Sequence, residues 1–204
     1  MTYRIVGIDF SLSATGVARI VDGNVKTTVI RSSGRKGASL SERLIRIRQI
    51  VKRIKDFALE GYDPDADGPL PLFVIEAPLY TTPMRTNEKG DRVPLEGGGH
   101  MHDRSGAWWL LLHLLAKEGL IVEVSTSTLK KYITGRGNSG KEASVMETVR
   151  TYPDIYVGDN NAADALVLAA MGARQLGRPI EASEKRITAT ALNGVRWPNV
   201  VERP

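Results

Sequence analysis

The stretch that most constrains the fold is "LFVIEA", Leu72–Ala77. Its unbroken apolar run lacks the alternation of a strand with one wet face, so both faces must be covered. That demands a parallel or mixed sheet with helices on each side, an α/β architecture. The run ends on Glu76, a carboxylate that packing alone does not call for.

Around this strand the chain supplies the rest of a mixed sheet. "YRIVGID", "TGVARIV" and "VKTTVIRS" are three successive strand-like segments, the last two joined by "DGN". Asp-Gly is a hairpin signal, so the opening is an antiparallel meander. "SLSE" at Ser39–Glu42 fits a capping box. After it Leu40, Leu44, Ile47, Ile50, Val51, Ile54 and Phe57 keep helical spacing, which predicts an amphipathic helix with those residues inward and a basic outer face. "YDPDADGPLP" is a loop. Pro78–Arg104 has no periodicity and is expected to be a long mobile loop. A helix is expected around Ala107–Glu118, then a strand at "LIVEVS" and a short helix at "TSTLKKYIT". "KEASVMETVRTY" is helical, with Val145, Met146 and Val149 expected inward, and "DNNAADALVLAAMGARQL" is a helix with an Asn/Asp cap. The order β-β-β-α-β-α-β-α-α, with right-handed crossovers, predicts a five-stranded mixed sheet, three antiparallel strands and then parallel ones, with helices on both faces. One domain is expected over residues 1–176, with an irregular tail over 177–204 tacked on by Trp197.

Composition narrows the class. The 204 residues are 42% hydrophobic, enough for a sizeable core in one soluble domain. There is no cysteine, which excludes disulfides and thiolate metal sites and fits a reducing cytoplasm. The start of the chain carries no signal-peptide pattern, and the apolar block "AWWLLLHLLA" is too short to span a bilayer, so no membrane association is expected. Net charge is +5. Basic residues crowd the first third, including Arg31, Arg35, Lys36, Arg43, Arg46, Lys52 and Arg53, and Lys130, Lys131, Arg136 and Lys141 surround a glycine-rich loop. Either a solvated face or a nucleic-acid footprint accounts for that placement.

The carboxylates carry the chemistry. Asp9 ends the first strand and Glu76 the fourth, so neighbouring strands would bring both to one sheet edge. Asp164, in the first turn of the last helix, can face the same point. Taken singly, a strand-end Asp is often a turn residue, and an early helical Asp often answers the helix dipole. Three convergent carboxylates repel and raise one another's pKa values, which divalent cations with oxygen ligands relieve. The chemistry inferred is two-metal hydrolysis of a phosphodiester.

These residues lie in segments that resemble a known family. "GIDFSLSATG", "VIEAPLY", "TLKKYITGRGNSGKEASVM" and "NAADALVLA" are similar, in order and with sensible gaps, to the motifs of RuvC-type Holliday junction resolvases, within the ribonuclease H and retroviral integrase superfamily. The resemblance spans residue 7 to about residue 172. It implies a ribonuclease H-like fold, an endonuclease making paired nicks in four-way DNA junctions as a homodimer, and Mg²⁺ or Mn²⁺, two ions per site. The shortened early motifs and irregular tail suggest a viral member. Carried over by position, Asp9, Glu76 and Asp164 are the metal-binding acids, with Asn161 in the fourth ligand place. Lys141 joins the acids as a catalytic residue, and Lys130, Arg136, Lys141 and Tyr80 are assigned to DNA. Either lysine could instead be a solvated helix end, and Tyr80 could stack on a base or pack on the next helix.

The chain departs from the family pattern in three places. Phe10-Ser11 replaces Pro-Gly after the first acid. Asn161 replaces an Asp or His, an uncharged ligand that Asp159 or Asn160 could supplement. Leu79 stands where the family has an aromatic, with Tyr80 next. His100, His102 and Asp103 have ligand chemistry but follow three glycines, so they are expected in a DNA-facing or disordered loop. Trp108 and Trp109 open an apolar helix that would pack in the core or form the homodimer seam.

Other readings remain at this level. A flap or fork nuclease of the same fold would share every motif. An actin-like ATPase or sugar kinase has a first phosphate loop like "GIDFSLSATG", but needs a second such motif, which is lacking. A junction-binding protein without catalysis would be consistent with Asn161 but not with three retained acids. "GRGNSGKE" at Gly135–Glu142 nearly matches a phosphate-binding P-loop, yet has Glu142 where the Mg²⁺-binding hydroxyl belongs and follows a basic helical turn. Gly135, Gly137 and Gly140 are expected to let the backbone approach a DNA phosphate, with Lys141 meeting it at a helix N-terminus.

Overall fold

Asp22 and Gly23 both take left-handed backbone, φ 46° and 82°, as a type I′ hairpin turn requires. They join β2 (Ala14–Val21) to β3 (Asn24–Arg31) with Val21 directly opposite Asn24. β1 (Arg4–Asp9) pairs antiparallel to β2 and parallel to β4 (Leu72–Glu76), which pairs parallel to β7 (Leu120–Val124). The sheet order is β3-β2-β1-β4-β7, the mixed five-stranded sheet expected from the sequence. This is a computed structural model that describes residues 3–65, 68–78, 84–86, 90–94, 98–181 and 183–199.

Helices cover both faces. On one lie α1 (Leu40–Ala58) and α2 (Gly98–Leu115), sharing a core with Val6, Ile8, Phe73 and Ile75. On the other, α3 (Thr126–Thr134) and α5 (Asn160–Gln175) pack on Ile5, Ala18, Leu72 and Val74, with α4 (Lys141–Thr151) against α5. The alternating side chains of β1 and β4 thus feed two separate cores, which explains the unbroken apolar run of β4. No helix among the described residues is long and apolar enough to cross a membrane.

α1 begins with the expected capping box, Ser39 N–H donating to Glu42 at 2.7 Å and Glu42 N–H to Ser39 Oγ at 3.3 Å. Its C-terminus is clamped by buried arginines of the sheet. Arg4 donates to the Ala58 carbonyl and Arg19 to that of Phe57, at 3.2 and 2.8 Å, satisfying carbonyls that a helix end leaves without partners. Only the second half of α1 covers the sheet: Ile50, Val51, Ile54 and Ala58 are buried, whereas Leu40 and Leu44 are 75% and 41% exposed. Those two were expected inward, but the first turns of α1 are held by polar contacts of Arg43 and Arg46 rather than by burial of their leucines.

Two further expectations are corrected. α2 starts at Gly98, nine residues before the expected Ala107, and β5 (Met84–Thr86) pairs with β6 (Arg92–Pro94), so Pro78–Arg104 is not one unstructured loop. His100, His102 and Asp103 are therefore helical; Asp103 forms an ion pair with Arg43 of α1, which ties the start of α2 down. α4 turns Ser144, Thr148 and Thr151 inward; of the three residues expected there, Met146 and Val149 are exposed and Val145 is half-buried. This hydroxyl face packs on the alanine-rich α5, and Thr148 satisfies its buried hydroxyl by donating to the Ser144 carbonyl at 2.8 Å.

The segment after α5 packs on the second core through Ile180, Ile187, Val195 and Trp197. Its anchor is Glu181, whose fully buried carboxylate meets Arg174 at 3.1 Å and accepts from the hydroxyls of Tyr132 and Tyr152.

Candidate active site

The parallel register Ile8↔Ile75 puts the next residues, Asp9 and Glu76, side by side where β1 and β4 end. α5 delivers the third acid because two glycines let it lie directly on the sheet. A Cβ at Gly7 would stand 2.0 Å from the Ala165 carbonyl, and one at Gly16 would stand 1.9 Å from the Asn161 carbonyl. The two glycines of "GIDFSLSATG" thus serve the close approach of α5 to the sheet.

Asp9, Glu76, Asp164, Asn161, Lys130 and Lys141 all line one cleft of about 580 Å³. Asp9 and Glu76 hydrogen-bond to each other. Burial, that bond and the charges of Glu76 and Asp164 push the Asp9 carboxyl up to about 8, with Arg104 opposing. Burial and the Glu76 charge push Asp164 up to about 6, against Lys130 and Lys141. Among the described residues no group of three or more His, Asp and Glu side chains stands ready-arranged around a metal ion. The donor chemistry nevertheless suits a hard divalent cation: three carboxylates and the amides of Asn160 and Asn161 line the cleft, with no imidazole or sulfur among its lining residues.

Several assigned residues have other duties. Asp159 caps α5, accepting from the Ala162 N–H at 3.0 Å, and is held by Arg31 at 2.7 Å, so it does not supplement Asn161 in the cleft. The Asn161 amide oxygen accepts from Asn160 at 3.3 Å. Arg136 is exposed and absent from the cleft lining. Gly135 supplies the left-handed C-cap of α3, φ 79°, and Gly137 sits against the Ser127 carbonyl. Those two glycines serve the turn. Gly140 alone faces open space, as the N-cap of α4 with Lys141 next to it. Tyr80 lies outside the described residues. In place of Pro-Gly, the turn after Asp9 is closed by hydroxyls: Thr15 Oγ1 donates to the Ser11 carbonyl at 2.5 Å and accepts from its N–H at 3.2 Å.

Three cleft residues had no individual role in the sequence reading. Thr126 donates to Glu76 Oε1 at 2.6 Å and fixes that carboxylate. "STST" reads as a helix cap, which Ser125 indeed provides, and only the fold shows that the next hydroxyl reaches Glu76. Arg104, within the segment expected to be a loop, brings its guanidinium 3.5 Å from the Phe10 carbonyl and acts on Asp9. Arg46 was one member of a basic cluster. It stitches two loops by donating to the Leu12 carbonyl at 2.8 Å and to Ser32 Oγ at 2.7 Å.

No family model matches the chain, and no curated protein does. Among solved structures, RuvC of Thermus thermophilus is similar with a TM-score of 0.54 at 15% identity, covering 87% of this chain and 99% of that one. T. thermophilus RuvC in complex with a Holliday junction substrate gives 0.52 at 13% identity, covering 91% of this chain and 99% of that one. The chain has the ribonuclease H-like fold of these RuvC structures.

Proposed function

We propose that this chain is a divalent-metal-dependent endonuclease that resolves four-way DNA junctions by paired nicks, acting as a homodimer. The observation that carries the reading is the meeting of Asp9, Glu76 and Asp164 in one cleft beside Lys130, Lys141 and Arg104. The similarity to a structure that contains a Holliday junction substrate supports the choice of DNA. Asp9, Glu76 and Asp164, with the Asn161 amide oxygen, would hold Mg²⁺ or Mn²⁺. When bound, two such ions would supply an activated water and offset charge on the in-line oxygens.

The chain's own residues have distinct tasks. Thr126 holds Glu76 by donating to its Oε1. Lys130 and Lys141 approach Asp164 from α3 and α4, where their charge can meet the scissile phosphate and stabilise the developing oxyanion. Arg104 adds a cation on the opposite, Asp9 side. Trp109, 63% exposed on α2 beside the buried Trp108, offers an apolar surface for a second copy.

Junction, flap and linear duplex substrates of equal length, incubated with Mg²⁺, test the substrate. Symmetric nicks bearing 5′-phosphate and 3′-hydroxyl ends, confined to the junction, are expected. Equal cutting of flaps or forks would replace the resolvase reading by a broader branched-DNA nuclease. Binding without cutting would leave a junction-binding protein. A monomer in sedimentation with junction DNA would remove the paired mechanism.

A further inference from the structure

The catalytic cleft is not closed at its α1 side. It shares Gly34 and Arg46 with a second cavity of about 680 Å³, formed by the loop between β3 and α1 and the first turns of α1. Arg46 is the fixed floor between them, held by Leu12 and Ser32. Gly34 lies directly on its guanidinium: a Cβ there would stand 2.4 Å from Arg46 Nη1. The loop is thereby pinned to the cleft wall rather than splayed from it.

The charges of this cavity are one-sided. Arg35, Lys36, Arg43 and Arg46 line it against two acids, Glu42 and Asp103. Arg43 is committed to Asp103, and Glu42 to the α1 cap. The Arg35–Glu42 pair at 2.9 Å is exposed on both sides, and such a pair exchanges for a phosphate at little cost. Lys36 is exposed at the tip of the loop.

We propose that the β3–α1 loop is a phosphate track for the nucleic-acid strand that continues beyond the cut position, with Arg35 and Lys36 as its contacts. The proposal rests on the nuclease reading and adds the direction in which DNA leaves the site. Such contacts are sequence-independent and act through counterion release. They set affinity and register, not the chemistry at the acids.

The test uses the whole chain carrying Asp9→Asn, so that DNA stays intact, and a labelled four-way junction in anisotropy titrations at several KCl concentrations. Adding Arg35→Ala with Lys36→Ala should weaken binding and flatten the slope of log K against log salt by about 2. Lys26→Ala with Lys117→Ala removes the same charge from residues that do not line either cavity and should leave the slope as it was. An unchanged slope in the loop pair, or an equal loss in the remote pair, overturns the track. If the parent binds junction but the loop pair keeps its slope, only this inference falls. If the parent binds no DNA, the nuclease reading falls with it.

Discussion

The carbonyl of Asn161 lies over Gly16, the residue paired across the sheet with Asp9. This contact ties Asn161, the helix carrying Asp164 and the strand carrying Asp9 into one rigid corner. Gly16→Ala should push α5 off the sheet and destabilise the fold by about 1–3 kcal/mol, as overpacking does. Urea denaturation measures that cost, and Gly7→Ala, against Ala165, should behave alike. Gly23→Ala, on an open turn, should cost only its left-handed backbone strain.

Thr126 acts through Glu76. Thr126→Val should weaken Mn²⁺ binding by about 10–100-fold, the usual effect of losing a hydrogen bond to a ligand. Thr126→Ser should restore it, because only the hydroxyl matters at 2.6 Å. Calorimetric titration with Mn²⁺ reads the difference without cleavage. Equal binding in the valine variant would mean that packing alone holds Glu76.

Asp9 links stability to pH. Its folded carboxyl sits near 8 against 3.8 for a free one, so the folded chain keeps a proton that the unfolded chain gives up. The stability from that proton is complete below about pH 4 and is lost as pH rises toward 8. With chelator present, the wild type should lose up to about 1.4 kcal/mol per pH unit across this window for one proton. Asp9→Asn should flatten the slope and melt higher than wild type at pH 8. Thermal melts from pH 4 to pH 8 decide it.

Glu181 anchors the tail. Glu181→Ala leaves Arg174 with only the exposed Glu184, at 2.8 Å, and leaves the Tyr132 and Tyr152 hydroxyls without their acceptor, so it should cost about 1–3 kcal/mol. Limited proteolysis should then cut the chain just after α5. The wild type should resist, since Thr188 N–H also bonds the Tyr132 carbonyl at 2.7 Å.

Local signals were legible where the local chemistry was sufficient. Asp22-Gly23 forms its hairpin and Ser39–Glu42 its capping box because both are satisfied within a few residues. β4 announced its double burial, and the strand-end acids announced the cleft. What was hidden depends on neighbours distant in sequence. The inward face of α4 is set by its packing on α5, which the spacing of its own apolar residues does not reveal. The start of α2 is stabilised by Arg43 on Asp103, sixty residues apart in sequence, so no window around His100 could show it. Asp159, a reasonable ligand by type, is claimed by its own helix cap and by Arg31. Thr126 was one residue of an expected short helix and Arg104 one of an expected loop until the sheet edge brought them beside the acids.

The most direct measurement is cleavage of a labelled four-way junction by the purified chain, titrated with Mg²⁺, alongside Asp9→Asn and Asp164→Asn. The account predicts metal-dependent symmetric nicks by the wild type and none by either variant while both still bind the junction. Junction cleavage that persists in chelator, or that either variant performs as well as the wild type, would contradict it.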